Sequence, residues 1–172
     1  MLKYICCWLF FIIHVACINA QNVDTDYQLV LNLDNKMQRK MLANELMVDP
    51  QEKFIIVNYG NRPTHIIVYS MQNYEAVANF RLSDWVDFSA AFMDYETNQL
   101  YIKESRYSSE YFRMNINSNE YDRIQCHIIP GGCTNAEPTK SVKAVYTADK
   151  QYYITINKNN TREVRVYKRK SK

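Results

Sequence analysis

Residues 46–66 read LMVDPQEKFIIVNYGNRPTHI, and this stretch holds the pattern that organises the rest of the chain. Phe54–Val57 is a short apolar run rich in β-branched residues, and a second such run begins at His65. Between the two runs lie Gly60 and Pro63, which are residues that favour turns. An acidic segment that begins at Asp49 precedes the first run. The stretch therefore predicts an acidic turn followed by two antiparallel β-strands.

The same arrangement occurs three times along the chain. The strand after the acidic turn begins at Phe54, Leu100 and Tyr152, so the spacings are 46 and 52 residues. Repeats of about 40–50 residues with several strands are typical of propeller blades, because one small sheet must stack on a neighbour to bury its faces. We therefore predict an all-β fold of antiparallel β-meanders, a partial propeller-like array of about three blades at 46–82, 86–129 and 142–170. A β-sandwich or a barrel is the alternative.

Two of these units resemble the low-density-lipoprotein-receptor class B (YWTD-type) β-propeller repeats. The family pattern A-V-D-P…Y-W-T-D-W-G…P-x-I is matched in the first unit at Asp49, Pro50, Gly60, Pro63 and Ile66. The second unit, DYETNQLYIKES from residue 94, is similar to the family form D-x-x-x-N-x-L-Y-W-x-D-S. The signature Tyr-Trp-Thr-Asp itself is replaced in both units, by IIVN at 55–58 and YIKE at 101–104. The resemblance implies a propeller-like fold built from degenerate repeats.

Three units are fewer than the four to eight blades of a closed propeller. An open array has exposed strand edges, which invite pairing with another strand. Residues 28–33 read QLVLNL, an uncharged alternating run. We predict that this run either pairs with the C-terminal strand, as a closing strand, or mediates association with another chain through Leu29 and Leu31. In residues 34–47, apolar side chains near helical spacing predict one or two turns of helix.

The N-terminus has the organisation of a secretory signal peptide. Lys3 precedes a run of about 14 apolar residues, which is short for a membrane-spanning helix, and Ala20 provides a small residue at the expected cleavage point. We therefore expect residues 1–20 to be a signal peptide and residues 21–172 to be one secreted all-β domain without a stable membrane span. The formal net charge of +3 is too small to indicate nucleic-acid binding.

Two features fit an extracellular location. Cys126 and Cys133 remain after signal cleavage and flank a turn-forming Pro-Gly-Gly sequence, so we predict a disulfide between them. Asn159-Asn160-Thr161 is an N-glycosylation sequon between two predicted strands, so we predict glycosylation at Asn159.

The sequence offers little support for catalysis or cofactor binding. It lacks a nucleophile elbow, a His-Glu-x-x-His motif and a phosphate-binding glycine loop. Asp84 and Asp87 flank Trp85 and, with Asp94 and Glu96, suggest a calcium or cationic-ligand site, although no calcium-loop spacing is present. The alternative is a solvated loop with Trp85 in the core. We expect no enzyme activity, no metal and no cofactor.

The candidate contact residues are aromatic and basic. Tyrosine provides a large contact area at low entropic cost, which suits both interfaces and strands; the candidates are Tyr59, Tyr69, Tyr74, Tyr107 and Tyr111. A possible patch for an acidic partner consists of Arg162, Arg165, Lys168, Arg169 and Lys170, and alternation places Val164 and Val166 on the strand face opposite Arg165 and Tyr167. We predict a secreted, non-catalytic binding protein that contacts a protein or glycan through its loops, with self-association as a further prediction. A structural or abundant secreted-fluid component and a small-ligand carrier with a β-barrel are the alternatives.

Overall fold

The computed structural model describes residues 26–33, 41–60, 63–129, 143–157 and 159–171. These residues form twelve β-strands and one short 3₁₀ helix, Cys126–Ile128. The strands are β1 (Tyr27–Leu33), β2 (Ala43–Val48), β3 (Phe54–Tyr59), β4 (Thr64–Ser70), β5 (Ala76–Leu82), β6 (Asp87–Asp94), β7 (Gln99–Lys103), β8 (Glu110–Asn115), β9 (Glu120–Gln125), β10 (Ala144–Tyr146), β11 (Tyr152–Ile156) and β12 (Val164–Arg169). The predicted all-β, antiparallel class is confirmed.

The strands form three separate four-stranded antiparallel sheets. The first sheet has the order β2-β3-β4-β5, and the second has the order β6-β7-β8-β9. The third sheet has the order β1-β12-β11-β10, so the N-terminal strand lies beside the C-terminal one. The strands of the three sheets come from residues 43–82, from 87–125, and from 144–169 together with 27–33. All three sheets are open, so the barrel alternative is wrong.

The first sheet lies between the other two. Its Met47, Ile56 and Ile66 pack with the second sheet, where Phe112 and Met114 lie in the same apolar cluster. Its opposite face forms a separate cluster with the third sheet, which includes Leu46, Ile55, Val57, Ile154, Ile156, Val164 and Val166. Strands buried on both faces have continuous apolar sequences instead of alternating ones. This burial explains why FIIV at 54–57 and HIIVY at 65–69 read as unbroken runs.

β1 confirms the first of the two arrangements predicted for residues 28–33. It pairs antiparallel with β12, with Gln28 opposite Lys168 and Leu33 opposite Val164. A bulge between Leu29 and Leu31 shifts the register. Ordinary strand alternation places both Leu31 and Leu33 toward the buried core cluster. The bulge accounts for the different position of Leu29, which is half exposed.

The predicted helix within 34–47 is wrong where it can be examined, because Ala43–Val48 is strand β2; residues 34–40 lie outside the described part. β2 pairs with β3, with Leu46 opposite Val57 and Met47 opposite Ile56. Leu46 and Met47 are almost completely buried on opposite faces of the sheet. Pairing and two-sided burial therefore outweigh the local helical spacing of the apolar residues.

The hairpin turns that follow β2, β6 and β10 lie at one end of the three sheets, here named the turn end. Asp49 in the first turn and Thr147 in the third are both buried and have the same role. The Asp49 carboxylate accepts the backbone N–H of Phe54, and the Thr147 hydroxyl accepts that of Tyr152. Each side chain thus bonds to the start of the next strand. The Glu52 carboxylate accepts from the backbone N–H of Ala148, which joins the first and third sheets. The loops after β5 and β7 lie at the opposite end, here named the loop end, as does the described residue Asn159 between β11 and β12. Within the described part of the chain, no helical segment has the length and hydropathy that a bilayer crossing needs.

Candidate interaction site

Two loops at the loop end present exposed aromatic side chains. Residues 83–86 connect β5 to β6, and residues 104–109 connect β7 to β8. Trp85 in the first loop is 57% exposed, and Tyr107 in the second is 93% exposed. A tryptophan is usually extensively buried, so the exposure of Trp85 in this loop is informative.

An open cleft lies between these loops. Its volume is about 450 Å³, and its lining residues are Trp85, Val86, Asp87, Ser105 and Arg106. We name it the Trp85 cleft. The lining combines a large indole ring, an aliphatic side chain, one carboxylate and one guanidinium, so it offers both apolar contact area and charged hydrogen-bonding groups. Binding clefts typically combine these two kinds of group.

Arg123 on β9 ties the two loops together. Its guanidinium bonds to the carboxylate of Asp84 in the first loop and to Glu104 Oε1 in the second at 3.0 Å. The same guanidinium lies 5.2 Å from the ring centroid of Phe112. Ser108 Oγ donates to Glu104 Oε2 at 3.0 Å, which holds the second loop internally. These contacts connect both loops of the cleft to β9 of the second sheet.

The residues near the cleft do not form the suggested calcium site. No group of three or more metal-binding side chains occurs among the described residues. Asp94 and Glu96 lie in the turn at the far end of β6, where Asp94 accepts bonds from Glu96 N and Thr97 Oγ1 at 3.0 and 2.6 Å. The alternative that placed Trp85 in the core is also wrong. Burial and the nearby Asp87 carboxylate raise the pKa of the Tyr111 hydroxyl, which lies on β8.

Two of the predicted interface tyrosines belong to the core. Tyr59 and Tyr69 are completely buried, and their hydroxyl oxygens lie 3.3 Å apart between the first and third sheets. Burial, then the neighbouring Tyr69, raise the pKa of Tyr59 far above its ordinary range. An interface role for these two residues is wrong, because the first sheet has no exposed face in this region.

The remaining predicted contact residues are dispersed. Tyr74 is half buried against Tyr152, and burial with the Tyr152 hydrogen bond raises its pKa to about 12. Tyr111 is buried beneath the segment after β9, in a cluster with Ile129. Leu31 packs against the core and Leu29 is half exposed on the third sheet. Of the predicted tyrosines, only Tyr107 lies in the loops beside the Trp85 cleft.

The basic residues of the C-terminal segment do not form one patch. The alternation predicted for β12 is confirmed, because Val164 and Val166 are buried in the core cluster. Lys168 lies over the ring of Tyr152, 5.8 Å from its centroid, on the core side of the strand. Arg165 bonds to Glu163 at 3.1 Å, while Arg169 lines a depression on the outer face with Lys150. Arg162 and Lys170 are exposed at the two ends of this region.

Of the two predicted covalent modifications, the glycosylation site lies among the described residues, and the disulfide lies only partly among them. Cys126 is disulfide-bonded; Cys133 lies outside the described residues, so the pairing of these two cysteines stays a prediction. Asn159 is exposed in the loop between β11 and β12, where its backbone N–H donates to Asn157 Oδ1 at 3.1 Å. Its side chain is therefore accessible to solvent at the loop end.

The exposure of Trp85 does not follow from the sequence pattern, and neither does a position for Arg106 in the cleft. Alternation assigns faces along strands and is silent about short loops, which contain both residues. The signal in the sequence was a lone tryptophan between two aspartates, a context that favours a solvated loop. Comparison with protein-family models and with curated proteins finds no match for this chain. The likeness to YWTD-type repeats therefore rests on the quoted residues alone.

Proposed function

We propose that this chain is a secreted, non-catalytic binding protein and that the Trp85 cleft is its contact surface for another extracellular protein. The observation that carries this proposal is the exposure of Trp85 beside Arg106 in a cleft about 450 Å³ in volume. Tryptophan, tyrosine and arginine are the residues most enriched among those that dominate binding energy at protein interfaces. Tyr107, which follows Arg106 in the same loop, is the most exposed of the large hydrophobic side chains in the described part and adds further aromatic area there.

The contacts that connect the two loops of the cleft to the second sheet support the proposal. Arg123 bonds to Asp84 and Glu104, so the loops that carry the indole and the Arg106 guanidinium are both connected to the second sheet. Preorganised loops lose less conformational entropy when a partner binds. Loops carried by a rigid β-scaffold are where binding residues concentrate in many extracellular proteins.

The wider architecture fits a binding module. In this proposal the three stacked sheets are a partial propeller-like array, and β1 completes the last unit in the manner of a closing strand. The N-terminal signal sequence, a disulfide between Cys126 and Cys133 and glycosylation at Asn159 all belong to the same proposal, because they describe a protein that matures in the secretory pathway. Asn159 lies at the loop end, and a glycan there would restrict how a partner approaches.

The proposal is tested by affinity capture with the chain from Gln21 to Lys172. The wild type, Trp85→Ala, Arg106→Ala and the control Val77→Ala are each immobilised and exposed to extracellular fluid of the source organism. Val77 is a suitable control because it is 43% exposed on β5, outside the cleft. We expect a protein that the wild type and Val77→Ala retain and that both cleft variants lose by about tenfold or more.

Two outcomes separate the possibilities. If enzymatic removal of glycans from the captured partner abolishes its retention, the ligand is a glycan and the protein-contact proposal is wrong. If all four proteins retain the same partners equally, the Trp85 cleft is not the contact surface.

A further inference from the structure

The outer face of the third sheet carries a set of side chains that the Trp85 cleft does not involve. Strand alternation places the valines of β12 inward and Tyr167 outward, and the same alternation brings Tyr27, Tyr146 and Tyr153 to the outer face. We name these four residues the tyrosine face. Their rings are in mutual contact: the centroids of Tyr146 and Tyr153 are 4.6 Å apart, and those of Tyr27 and Tyr146 are 5.7 Å apart. Tyr146 is 48% exposed.

A depression of about 330 Å³ opens where this face meets the turn end. Its lining residues are Tyr27, Tyr146, Lys150 and Arg169. Tyr27 lies opposite Arg169 in the β1–β12 register, and its hydroxyl donates to the backbone carbonyl of Lys150 at 2.6 Å. Lys150 is held in the turn with a left-handed backbone, φ 56°. The main chains that carry both cations are therefore fixed by the fold.

The charge around the depression favours an anion. Both charged side chains that line the depression, Lys150 and Arg169, are cationic, and the residues next to the lining add Lys170 against Asp26 and Asp149. The ion pairs that join described side chains involve Arg113, Arg123 and Arg165, and neither Lys150 nor Arg169 takes part in them. An arginine and a lysine side by side can bind a carboxylate or sulfate through charge-assisted hydrogen bonds.

The shape favours a sugar over a peptide. An extended peptide gains affinity by hydrogen-bonding to the open edge of a sheet, whereas the depression lies on a sheet face, where it presents aromatic rings and cationic side chains. Its volume is at the small end of the range for ligand pockets, about 300–1,000 Å³, and suits one ring-sized unit with its substituents. We propose that this depression binds the anionic unit of an acidic saccharide, a uronate or sulfated sugar, with its ring against Tyr146 and its anion between Lys150 and Arg169.

The test is calorimetric titration of the chain from Gln21 at about 0.15 M salt, where non-specific attraction is largely screened. The probes are a heparin-derived tetrasaccharide, a neutral chitotetraose and a poly-glutamate peptide. The variants are Lys150→Gln, Arg169→Gln, Arg169→Lys and the control Lys143→Gln, which removes an equal charge from the far end of the same sheet. Thermal melting establishes that each variant is folded.

We expect the heparin tetrasaccharide to bind while the other two probes do not. Lys150→Gln and Arg169→Gln should each weaken binding by about tenfold, Arg169→Lys by less, and Lys143→Gln by less than about twofold. Absence of tetrasaccharide binding, equal binding of poly-glutamate, or an equal loss in Lys143→Gln would each overturn the proposal. Trp85 is the only tryptophan after Gln21 and lies on another sheet, so its fluorescence should not respond to the saccharide. A failure of the saccharide proposal therefore leaves the protein-binding proposal unaffected.

Discussion

The hydroxyl of Tyr95 donates to Oδ2 of Asp49 at 2.5 Å and accepts from the backbone N–H of Gln51 at 3.2 Å. Tyr95 lies in the turn after β6 and Asp49 in the turn after β2, so this pair joins the second sheet to the first at the turn end. Burial and the bond to Asp49 raise the pKa of Tyr95 well above its usual value. The hydroxyl therefore remains a donor throughout the physiological pH range.

We expect Tyr95→Phe to lower the free energy of unfolding by about 1–2 kcal/mol, because it removes a bond to a buried carboxylate without changing the ring. Urea denaturation measures the change. Tyr107→Phe is the matched control, since that side chain is 93% exposed, and it should have almost no effect. Equal stability of Tyr95→Phe and wild type would mean that the bond does not hold the sheets together.

His65 should make the protein less stable in mild acid. Burial, then the Arg81 guanidinium opposite it on β5, lower its pKa in the folded protein below the 6.5 of an unperturbed histidine. The unfolded chain then binds more protons than the folded one, so this contribution to stability is present above pH 6.5 and is lost as the pH falls below it. In His65→Gln the dependence of the melting temperature on pH over this interval should flatten, whereas His127→Gln, which changes an exposed histidine, should leave it as in wild type.

Gly60 is expected to resist substitution. Its φ is 71°, and a Cβ at this position would lie 2.9 Å from the backbone carbonyl oxygen of Pro63 and against the side chain of Met41. Gly60→Ala should therefore cost about 1 kcal/mol or more, from the left-handed backbone and the close contact together. Thermal unfolding provides the measurement, and a melting temperature at or above that of wild type would contradict the assigned turn geometry.

The closing strand β1 allows a comparison within one segment. Leu31→Lys places a charge against the core cluster and should destabilise the protein by about 2 kcal/mol or more, whereas Leu29→Lys changes a half-exposed position and should cost less than about 0.5 kcal/mol. Chemical denaturation of the two variants distinguishes them. Similar losses in both would mean that the bulge between Leu29 and Leu31 does not set the faces of this strand.

The fold was more predictable from the sequence than the site was. Most strands and their grouping follow from short β-rich runs and from the repeated acidic turns. β2 lies where the local spacing predicts helix, and β1 adopts one of the two arrangements predicted for it. The faces of Tyr59 and Tyr69 do not follow, because a sheet buried on both sides has no alternation to distinguish them. Several turns are also hard to recognise from the sequence. Glu52, Asn98 and Lys150 have a left-handed backbone conformation, for which glycine is the usual sequence signal.

Trp85 is exposed in a loop whose neighbouring Asp84 is held by Arg123, a residue 38 positions from Trp85 in the sequence. No local pattern encodes such a contact, and the general preference of tryptophan for the interior suggests the opposite. The loops, where binding residues concentrate, are thus the part of the chain that sequence patterns describe least well.

The most direct test of the proposed function uses the fluorescence of Trp85, which is the only tryptophan in the chain from Gln21 onward. Quenching by acrylamide is measured on the isolated protein and after saturation with the partner captured by the wild type. Because Trp85 is 57% exposed, quenching should be efficient at first; we predict that the partner reduces it strongly and shifts the emission to the blue. Unchanged quenching and emission in the saturated complex would show that the partner binds elsewhere and would contradict the assignment of the Trp85 cleft as the contact surface.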